Sequence, residues 1–382
     1  MSEDAKSSPT SLEALIHDWN HGPTGPKASS WPRLEDVAVA ERLRSGFDVD
    51  LEARVALARS LGRMGVDSAE LALEHEPEPV FAALLESAPL RLQVRVSAPP
   101  TAAWSKARVE LVLDLPSDLD SVAAQVSALA ERAASVVLRA PLARLLAGGR
   151  GRDLGRWRDA GLTRVMVEDR VEDTPERVHA AVTELCAGWP EGLGLGWVSR
   201  DRGGLGVANA LAARAAGAES LSAALLGEGG YAAMELLLVN LELELGSDGR
   251  PLDGLVPTCL DWAERLGRTI PVDAPLIGSD AFRTATGVHA AAIVKALAKG
   301  SLELADLVYS GVPAGRFGRT QSIDIGPMSG TSNVRHWLES QGIEPHPELV
   351  ASILARAKSA RRVLDEDTVQ QIAQGHRGEP PS

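Results

Sequence analysis

The chain has 382 residues, more than one typical domain, which indicates either one large α/β barrel or two to three smaller units. Hydrophobic residues make up 45% of it and charged residues 24%, the balance of an ordinary globular protein, so wholesale disorder is excluded. Its formal charge is −13 at pH 7 and no basic patch is visible, so we expect no nucleic acid and no membrane surface among its partners.

The number and spacing of the cysteines limit the disulfide and metal chemistry of the protein and indicate its cellular compartment. Cys186 and Cys259 are the two cysteines, far apart and without CxxC spacing, which excludes a disulfide framework and a cysteine-rich metal site. No apolar run approaches the roughly 18 residues of a membrane span, and the first residues do not have the pattern of a signal peptide. We therefore expect a cytoplasmic protein.

Residues 1–30 are expected to form a flexible arm that contains one short amphipathic helix, Leu12–Trp19. Residues 31–246 then alternate short β-prone runs with alanine- and leucine-rich stretches of helical period, which is typical of a parallel sheet with helical crossovers. The predicted strands are Val37–Leu43, Ser68–Leu73, Leu90–Val96, Val109–Leu115, Ser135–Ala140, Arg164–Glu168, Gly194–Ser199 and Ser220–Leu226. Eight strands favour a (β/α)8 TIM barrel, although periodicity alone also allows a doubly wound open sheet.

The sequence also indicates where one helix between the strands ends and where another begins. Leu51–Met64 is predicted to be helical and to end before Gly65, and Thr174 with Pro175 is predicted to open another helix. After the barrel we expect a linker with a helix over residues 247–275, small and mainly helical carboxy-terminal subdomains over 276–374, and a tail over 375–382. The subdomain elements are predicted as helices Gly287–Lys299, Asn333–Gln341 and Glu348–Leu364, with one short strand at Ile323–Ile325.

Three segments carry a family resemblance. The first is the run Leu205–Ala213 followed by Ala216–Ala218 and Gly227–Gly230; the second is Ala281-Phe282 followed by Thr286–His289; the third is Tyr309, Gly318-Arg319 and Ser329-Gly330. In this order and spacing they resemble the 2-isopropylmalate synthase and homocitrate synthase family, part of the DRE-TIM metallolyase superfamily, over roughly residues 33 to 372.

The resemblance implies a (β/α)8 barrel in which a divalent metal, Mg²⁺, Mn²⁺ or Zn²⁺, holds a 2-oxo acid for condensation with the methyl carbon of an acyl-CoA. It also implies that His289 and Tyr309 take part in proton transfer near the acyl-CoA thioester. In this family the subdomain serves the barrel of the partner in a dimer, so the two residues would act in trans.

The sequence departs from the family at the metal site. The arginine and aspartate of the family's first-strand motif fall on Val39 and Ala40, its two histidine ligands on Val198 and Arg200, and its asparagine ligand on Tyr231. The positions of all four expected ligands, Ala40, Val198, Arg200 and Tyr231, therefore lack the expected residue, and an arginine there would repel a divalent cation. We expect no metal cofactor unless the site is rebuilt from other residues.

Several carboxylates near predicted strand ends could rebuild such a site, or could instead be solvated or paired with nearby arginines. They are Glu35, Asp36, Glu41, Glu70, Asp169 and Asp201.

These observations favour a non-catalytic or accessory subunit, a homodimer or a heterodimer with an active paralogue, to which His289 and Tyr309 would contribute. Two alternatives stay open. One is an active condensing enzyme whose relocated site uses Asp169 and Asp201; the other is a sensor in which Arg200 holds an organic acid or acyl-CoA.

Overall fold

The computed structural model describes residues 31–40, 46, 49–70, 86, 89–96, 108–146, 151–168, 174–201 and 203–377. The predicted arm over residues 1–30, with its helix Leu12–Trp19, lies outside the described residues, and so do Glu41 and Asp169. Within the described residues, the chain divides into two compact units, one of residues 31–242 and 247–278 and the other of residues 243–246 and 279–377.

The first unit is a closed barrel of eight parallel strands, in which each strand pairs with the next along the chain and β8 pairs with β1. The strands are β1 Arg33–Asp36, β2 Ser68–Glu70, β3 Arg91–Arg95, β4 Val109–Asp114, β5 Ser135–Pro141, β6 Arg164–Glu168, β7 Gly194–Val198 and β8 Ser220–Ala223. The predicted (β/α)8 barrel is confirmed.

Helices follow the strands along the chain: α1 Leu51–Arg63, α2 Val122–Ala130, α3 Leu142–Leu146, α4 Gly151–Asp159, α5 Pro175–Ala187, α6 Gly206–Ala215, α7 Met234–Leu245 and α8 Leu255–Arg265, with 3₁₀ turns at Leu225–Gly230 and Leu252–Gly254. Two of the helix starts follow directly from local chemistry. Asp50 Oδ1 accepts a hydrogen bond from the Ala53 amide at 2.7 Å and caps α1, and Pro175 occupies the first turn of α5.

The predicted first strand is wrong. The structure places β1 at Arg33–Asp36 and a helical turn at residues 38–40, within the stretch predicted as strand. The error has a physical cause: β1 carries Arg33 and Glu35, which pair inside the barrel with Glu110 of β4 and Arg164 of β6. A search for alternating apolar residues passes over a strand of this kind.

The second unit contains the two-stranded parallel pair β9 Arg283–Thr284 and β10 Ser322–Ile323, and the helices α9 Gly287–Ala298, α10 Leu302–Leu307, α11 Thr331–Ser340, α12 Pro347–Ser359 and α13 Glu366–Arg377, with a 3₁₀ turn at Ala314–Phe317. One apolar cluster lies around Ile353 and a second around Ile293.

The helix predicted over Glu348–Leu364 is wrong beyond Ser359. Ala360 has extended backbone angles, and Asp365 Oδ1 accepts a hydrogen bond from the Thr368 amide at 2.7 Å, which starts α13. Helix α13 continues to Arg377, past Gly375, where the sequence predicts a tail. None of the described helices is long and apolar enough to cross a membrane.

Candidate functional site at the barrel mouth

Charged side chains cluster at the carboxyl ends of the barrel strands, the end at which active sites of (β/α)8 barrels lie. We call this cluster the mouth network; its members are Glu70, Arg95, Arg139, Glu168, Arg200 and Tyr231. Strand β2 ends at Glu70, β3 at Arg95 and β6 at Glu168, so the parallel arrangement of the barrel brings these side chains to one end.

One half of the mouth network is built around the buried Glu70. Its Oε1 lies 3.1 Å from Arg95 Nε, and its Oε2 lies 3.0 Å from Arg139 Nη2. Arg95 also reaches Asp114 at the end of β4, with 3.3 Å between Nη1 and Oδ2. Two guanidinium groups therefore compensate the Glu70 carboxylate.

The other half is built around Arg200. Its Nη2 lies 2.7 Å from Glu168 Oε1, its Nη1 donates to the Gly229 carbonyl at 3.1 Å, and its guanidinium carbon lies 3.8 Å from the centre of the Tyr231 ring. Arg139 Nη1 donates to the Tyr231 hydroxyl at 3.2 Å, so Tyr231 connects the two halves. Such stacking of a guanidinium on an aromatic ring is a stabilising contact.

Arg139 stays charged although it is buried. Burial alone would lower the pKa of its guanidinium, but Tyr231, Glu35 and Glu168 outweigh that effect and raise the pKa above its ordinary value. The mouth therefore contains permanent positive charge among its carboxylates.

The residues at the mouth do not fit a divalent metal ion. Ala40 and Val198 have no donor atom in their side chains, Tyr231 is bound to Arg139, and Arg200 places a cation at the end of β7. Throughout the part of the chain that the structure describes, no three His, Cys, Asp or Glu side chains come close enough to hold a metal. A divalent cation here would be repelled by two neighbouring guanidinium groups.

The carboxylates considered as substitute ligands are held by other contacts. Asp201 Oδ1 accepts a hydrogen bond from the Gly206 amide at 2.9 Å, where α6 begins. Glu35 lies inside the barrel, 2.7 Å from Arg164 Nη2, and Glu70 pairs with arginines. The role of Asp169 stays a prediction, since it lies outside the described residues.

A second charge network fills the amino-terminal half of the barrel interior. Arg164 Nη2 lies 2.7 Å from Glu35 Oε1 and 2.8 Å from Glu110 Oε2, and Gln93 donates to Glu110 at 3.0 Å. Burial alone would raise the pKa of Glu110, but Arg164, Gln93 and Arg33 outweigh it and hold that pKa below its usual value. The barrel core is therefore ionic as well as apolar.

The sequence reasoning missed Arg95, Arg139 and Glu168, which complete the mouth network. A signal for Arg139 was present, since it is the one charged residue in the otherwise apolar stretch Ser135–Pro141. A charged residue inside a strand that reads as buried indicates a compensating partner in the core.

The sequence reasoning named Asp36 but missed Glu235, and the two form a pair of buried carboxyl groups beneath the loop that follows β8. Asp36 accepts hydrogen bonds from the Ala38 amide at 3.0 Å and the Leu225 amide at 2.8 Å, and Glu235 accepts one from the Leu226 amide at 2.9 Å. Burial raises the pKa of Asp36 to about 7 and also raises the pKa of Glu235. The Leu226 amide that Glu235 accepts from belongs to a residue with a φ of 58°, an uncommon conformation for leucine.

His289 and Tyr309 lie together in the second unit. Their ring centres are 4.0 Å apart and the ring planes meet at 22°, a stacked arrangement, and Tyr309 is half exposed. The structure thus brings the two predicted proton-transfer residues into contact, and their catalytic role stays a prediction.

Two known synthases are similar in sequence to part of this chain. A homocitrate synthase of Methanopyrus kandleri is 30% identical over 203 residues, which cover 50% of this chain and 49% of that protein. An (R)-citramalate synthase of Aquifex aeolicus is 32% identical over 148 residues, 37% of this chain and 26% of that protein. The chain is a distant relative of the homocitrate and citramalate synthases. The resemblance inferred from the sequence motifs is thereby confirmed, although the matches span about half or less of these relatives, and no known family profile matches the chain.

Solved structures support the fold. The HMG-CoA lyase of Brucella melitensis superposes with a TM-score of 0.50 at 15% identity, covering 62% of this chain and 99% of the lyase. Pyruvate carboxylase of Rhizobium etli gives a TM-score of 0.51 at 12% identity, covering 91% of this chain and 35% of the carboxylase. At these identities the similarity concerns the architecture alone.

Proposed function

We propose that this synthase relative is a non-catalytic or accessory subunit that has lost metal-dependent condensing activity. The observation that carries the proposal is the position of Arg200: its guanidinium follows β7, 2.7 Å from Glu168 and against the Tyr231 ring. By the resemblance, two metal ligands would stand at Arg200 and Tyr231.

The chemistry of the replacement explains the proposed loss. A divalent metal polarises a 2-oxo acid by accepting lone pairs from its ketone and carboxylate oxygens. A guanidinium offers only hydrogen-bond donors, and Glu168 and the Gly229 carbonyl already accept from Arg200. The electrophile would therefore lack its activation.

The same contacts weigh against the two alternatives. A sensor that holds an organic acid on Arg200 would have to share a guanidinium that already donates to Glu168 and Gly229, and a relocated site at Asp201 would have to share a carboxylate that already accepts from the Gly206 amide. Both alternatives are outcomes of the experiment below.

The proposed partner is a second copy of this chain or an active paralogue, and both would be cytoplasmic. The proposed ligand of this assembly is an acyl-CoA or a 2-oxo acid. The stacked pair of His289 and Tyr309 supports this part of the proposal, because both side chains that the resemblance assigns to proton transfer are retained and in contact.

The decisive experiment combines metal analysis with an assay for condensation. Protein purified without chelator is analysed for metal, titrated with Mg²⁺, Mn²⁺ and Zn²⁺, and incubated with acetyl-CoA and either 2-oxoisovalerate or 2-oxoglutarate, beside the homocitrate synthase of Methanopyrus kandleri. We expect substoichiometric metal and no condensation. One tightly bound ion per chain together with condensation would overturn the proposal and favour a rebuilt site.

A thermal-shift series in the presence of EDTA separates the sensor alternative. Stabilisation by a 2-oxo acid that is lost in Arg200→Gln would replace the proposal with a sensor at the mouth. A thermal midpoint that no 2-oxo acid shifts, in the wild type or in Arg200→Gln, agrees with an accessory subunit.

A further inference from the structure

The second unit contains an open cavity of about 450 Å³ that is remote in sequence from the mouth network. Its polar lining comes from Arg283, Arg319, Ser279, Thr320 and Ser322. The volume is within the range of small-molecule sites, about 300 to 1,000 Å³.

Backbone pairing fixes the position of these side chains. Ser322 lies opposite Arg283 in the β9–β10 register, and its amide donates to the Phe282 carbonyl at 2.9 Å. Arg319 Nη2 donates to the Ala281 carbonyl at 3.3 Å, which brings the second guanidinium to the same segment. Gly318 directs the chain into this position with a φ of 78°, where other residues are strained.

Carboxylates outside the cavity lining orient Arg283. Its Nε lies 2.8 Å from Asp324 and its Nη1 lies 3.1 Å from Asp280, so the side chain is held in one direction. Among the described residues that line this cavity, none is acidic. Two arginines and three hydroxyl side chains therefore meet in a chain whose formal charge is −13.

We propose that this cavity binds a small oxyanion, the phosphate or carboxylate group of a metabolite. Arg319 supplies a charged donor, and Arg283, whose Nε and Nη1 are already bound to Asp324 and Asp280, adds its remaining N–H groups. The hydroxyls of Ser279, Thr320 and Ser322 complete a donor set that tolerates either anion. The site is independent of the proposed accessory function, because it uses no residue of the mouth network and neither His289 nor Tyr309.

Calorimetric titration of the full chain tests the proposal at constant ionic strength, set with chloride. One arm uses inorganic phosphate and the other uses succinate, so the result identifies which anion chemistry the cavity takes. We expect saturable binding of at least one probe. In Arg319→Gln we expect binding at least about tenfold weaker, the effect of losing a charge-assisted hydrogen bond.

Arg335→Gln is the matched control, because Arg335 is an exposed arginine of the same unit that does not line the cavity. Thr320→Val removes a hydroxyl from the lining without removing charge. If the circular dichroism spectrum of Arg319→Gln differs from that of the wild type, weaker binding in that variant could come from lost folding, and Thr320→Val then tests the site instead. We expect Thr320→Val to weaken binding and Arg335→Gln to leave it unchanged. Absence of saturable binding in the wild type, or equal weakening in Arg335→Gln, would overturn the proposal.

Discussion

Arg164 is the residue on which the ionic core of the barrel depends. It compensates Glu35 and Glu110, both fully buried, so removal of its charge takes from Glu35 the arginine 2.7 Å away and leaves Glu110 only its partly exposed arginines, Arg33 and Arg91. Arg164→Met is therefore expected to lower the free energy of unfolding by about 3–5 kcal/mol, measured by urea denaturation. Arg156→Met is the control: Arg156 reaches the exposed Asp120, a surface pair worth about 0–1 kcal/mol, and donates a long hydrogen bond to the Leu119 carbonyl. Equal effects of the two substitutions would contradict the ionic-core interpretation.

Asp36 gives the barrel a pH dependence of definite sign. Its pKa is about 7 in the folded protein and about 3.9 in an unfolded chain, so the folded state binds more protons between these values. The stabilising contribution is complete below the unfolded pKa and is lost as the pH rises to about 7. Across this window we expect the difference in unfolding free energy, wild type minus Asp36→Asn, to fall by up to about 1.4 kcal/mol per pH unit. A flat difference in denaturation curves from acid to neutral pH would show that Asp36 does not retain its proton.

At the scale of elements, the beginnings of α9 and α11 meet through two glycines. A Cβ atom on Gly287 would lie 2.7 Å from the Gly330 backbone nitrogen, a contact that no rotamer change can relieve. Gly287→Ala is therefore expected to destabilise the second unit by about 1–3 kcal/mol, visible as a lower thermal midpoint. Gly155→Ala in α4 is its matched control, because a Cβ there meets open space and should stabilise that helix by about 0.5–1 kcal/mol. The interpretation fails if both substitutions raise the midpoint.

Elements with a strong apolar pattern could be predicted from the sequence, and elements built on charge could not. Strand β6 is predicted residue for residue at Arg164–Glu168, since three apolar residues separate its charged ends. Strand β1 is missed because Glu35 looks exposed until Arg164, far along the chain, is known to face it. At the candidate site, Arg200 and Tyr231 could be anticipated from a family motif. The local pattern marks Arg139 as a buried charge, but its partners, Glu70 and Tyr231, depend on long-range packing that no local pattern encodes.

For the whole molecule, the proposed function means that the mouth network stands in place of a bound ion, with arginine side chains as its cations. A resident metal stabilises a protein by mass action and its removal lowers the unfolding temperature. Under the proposed function, a barrel whose mouth is held by Arg95, Arg139 and Arg200 should have no such dependence. We expect the thermal midpoint to be the same in excess EDTA and in excess Mg²⁺, Mn²⁺ or Zn²⁺, and a drop with EDTA would contradict this view.

Replacement of Arg200 should then lower the free energy of unfolding, whereas removal of metal ions should leave it unchanged. Arg200→Leu removes the guanidinium that lies 2.7 Å from Glu168, a side chain 7% exposed, while Arg200 itself is 24% exposed and partly screened by solvent. We expect a loss of about 1–3 kcal/mol in the free energy of unfolding. The double variant Arg200→Leu with Glu168→Leu removes both charges and should recover much of that loss, because no buried charge is left unpaired. Additive losses in the double variant would show that the two side chains act separately and that Arg200 does not serve as the counter-ion of the mouth.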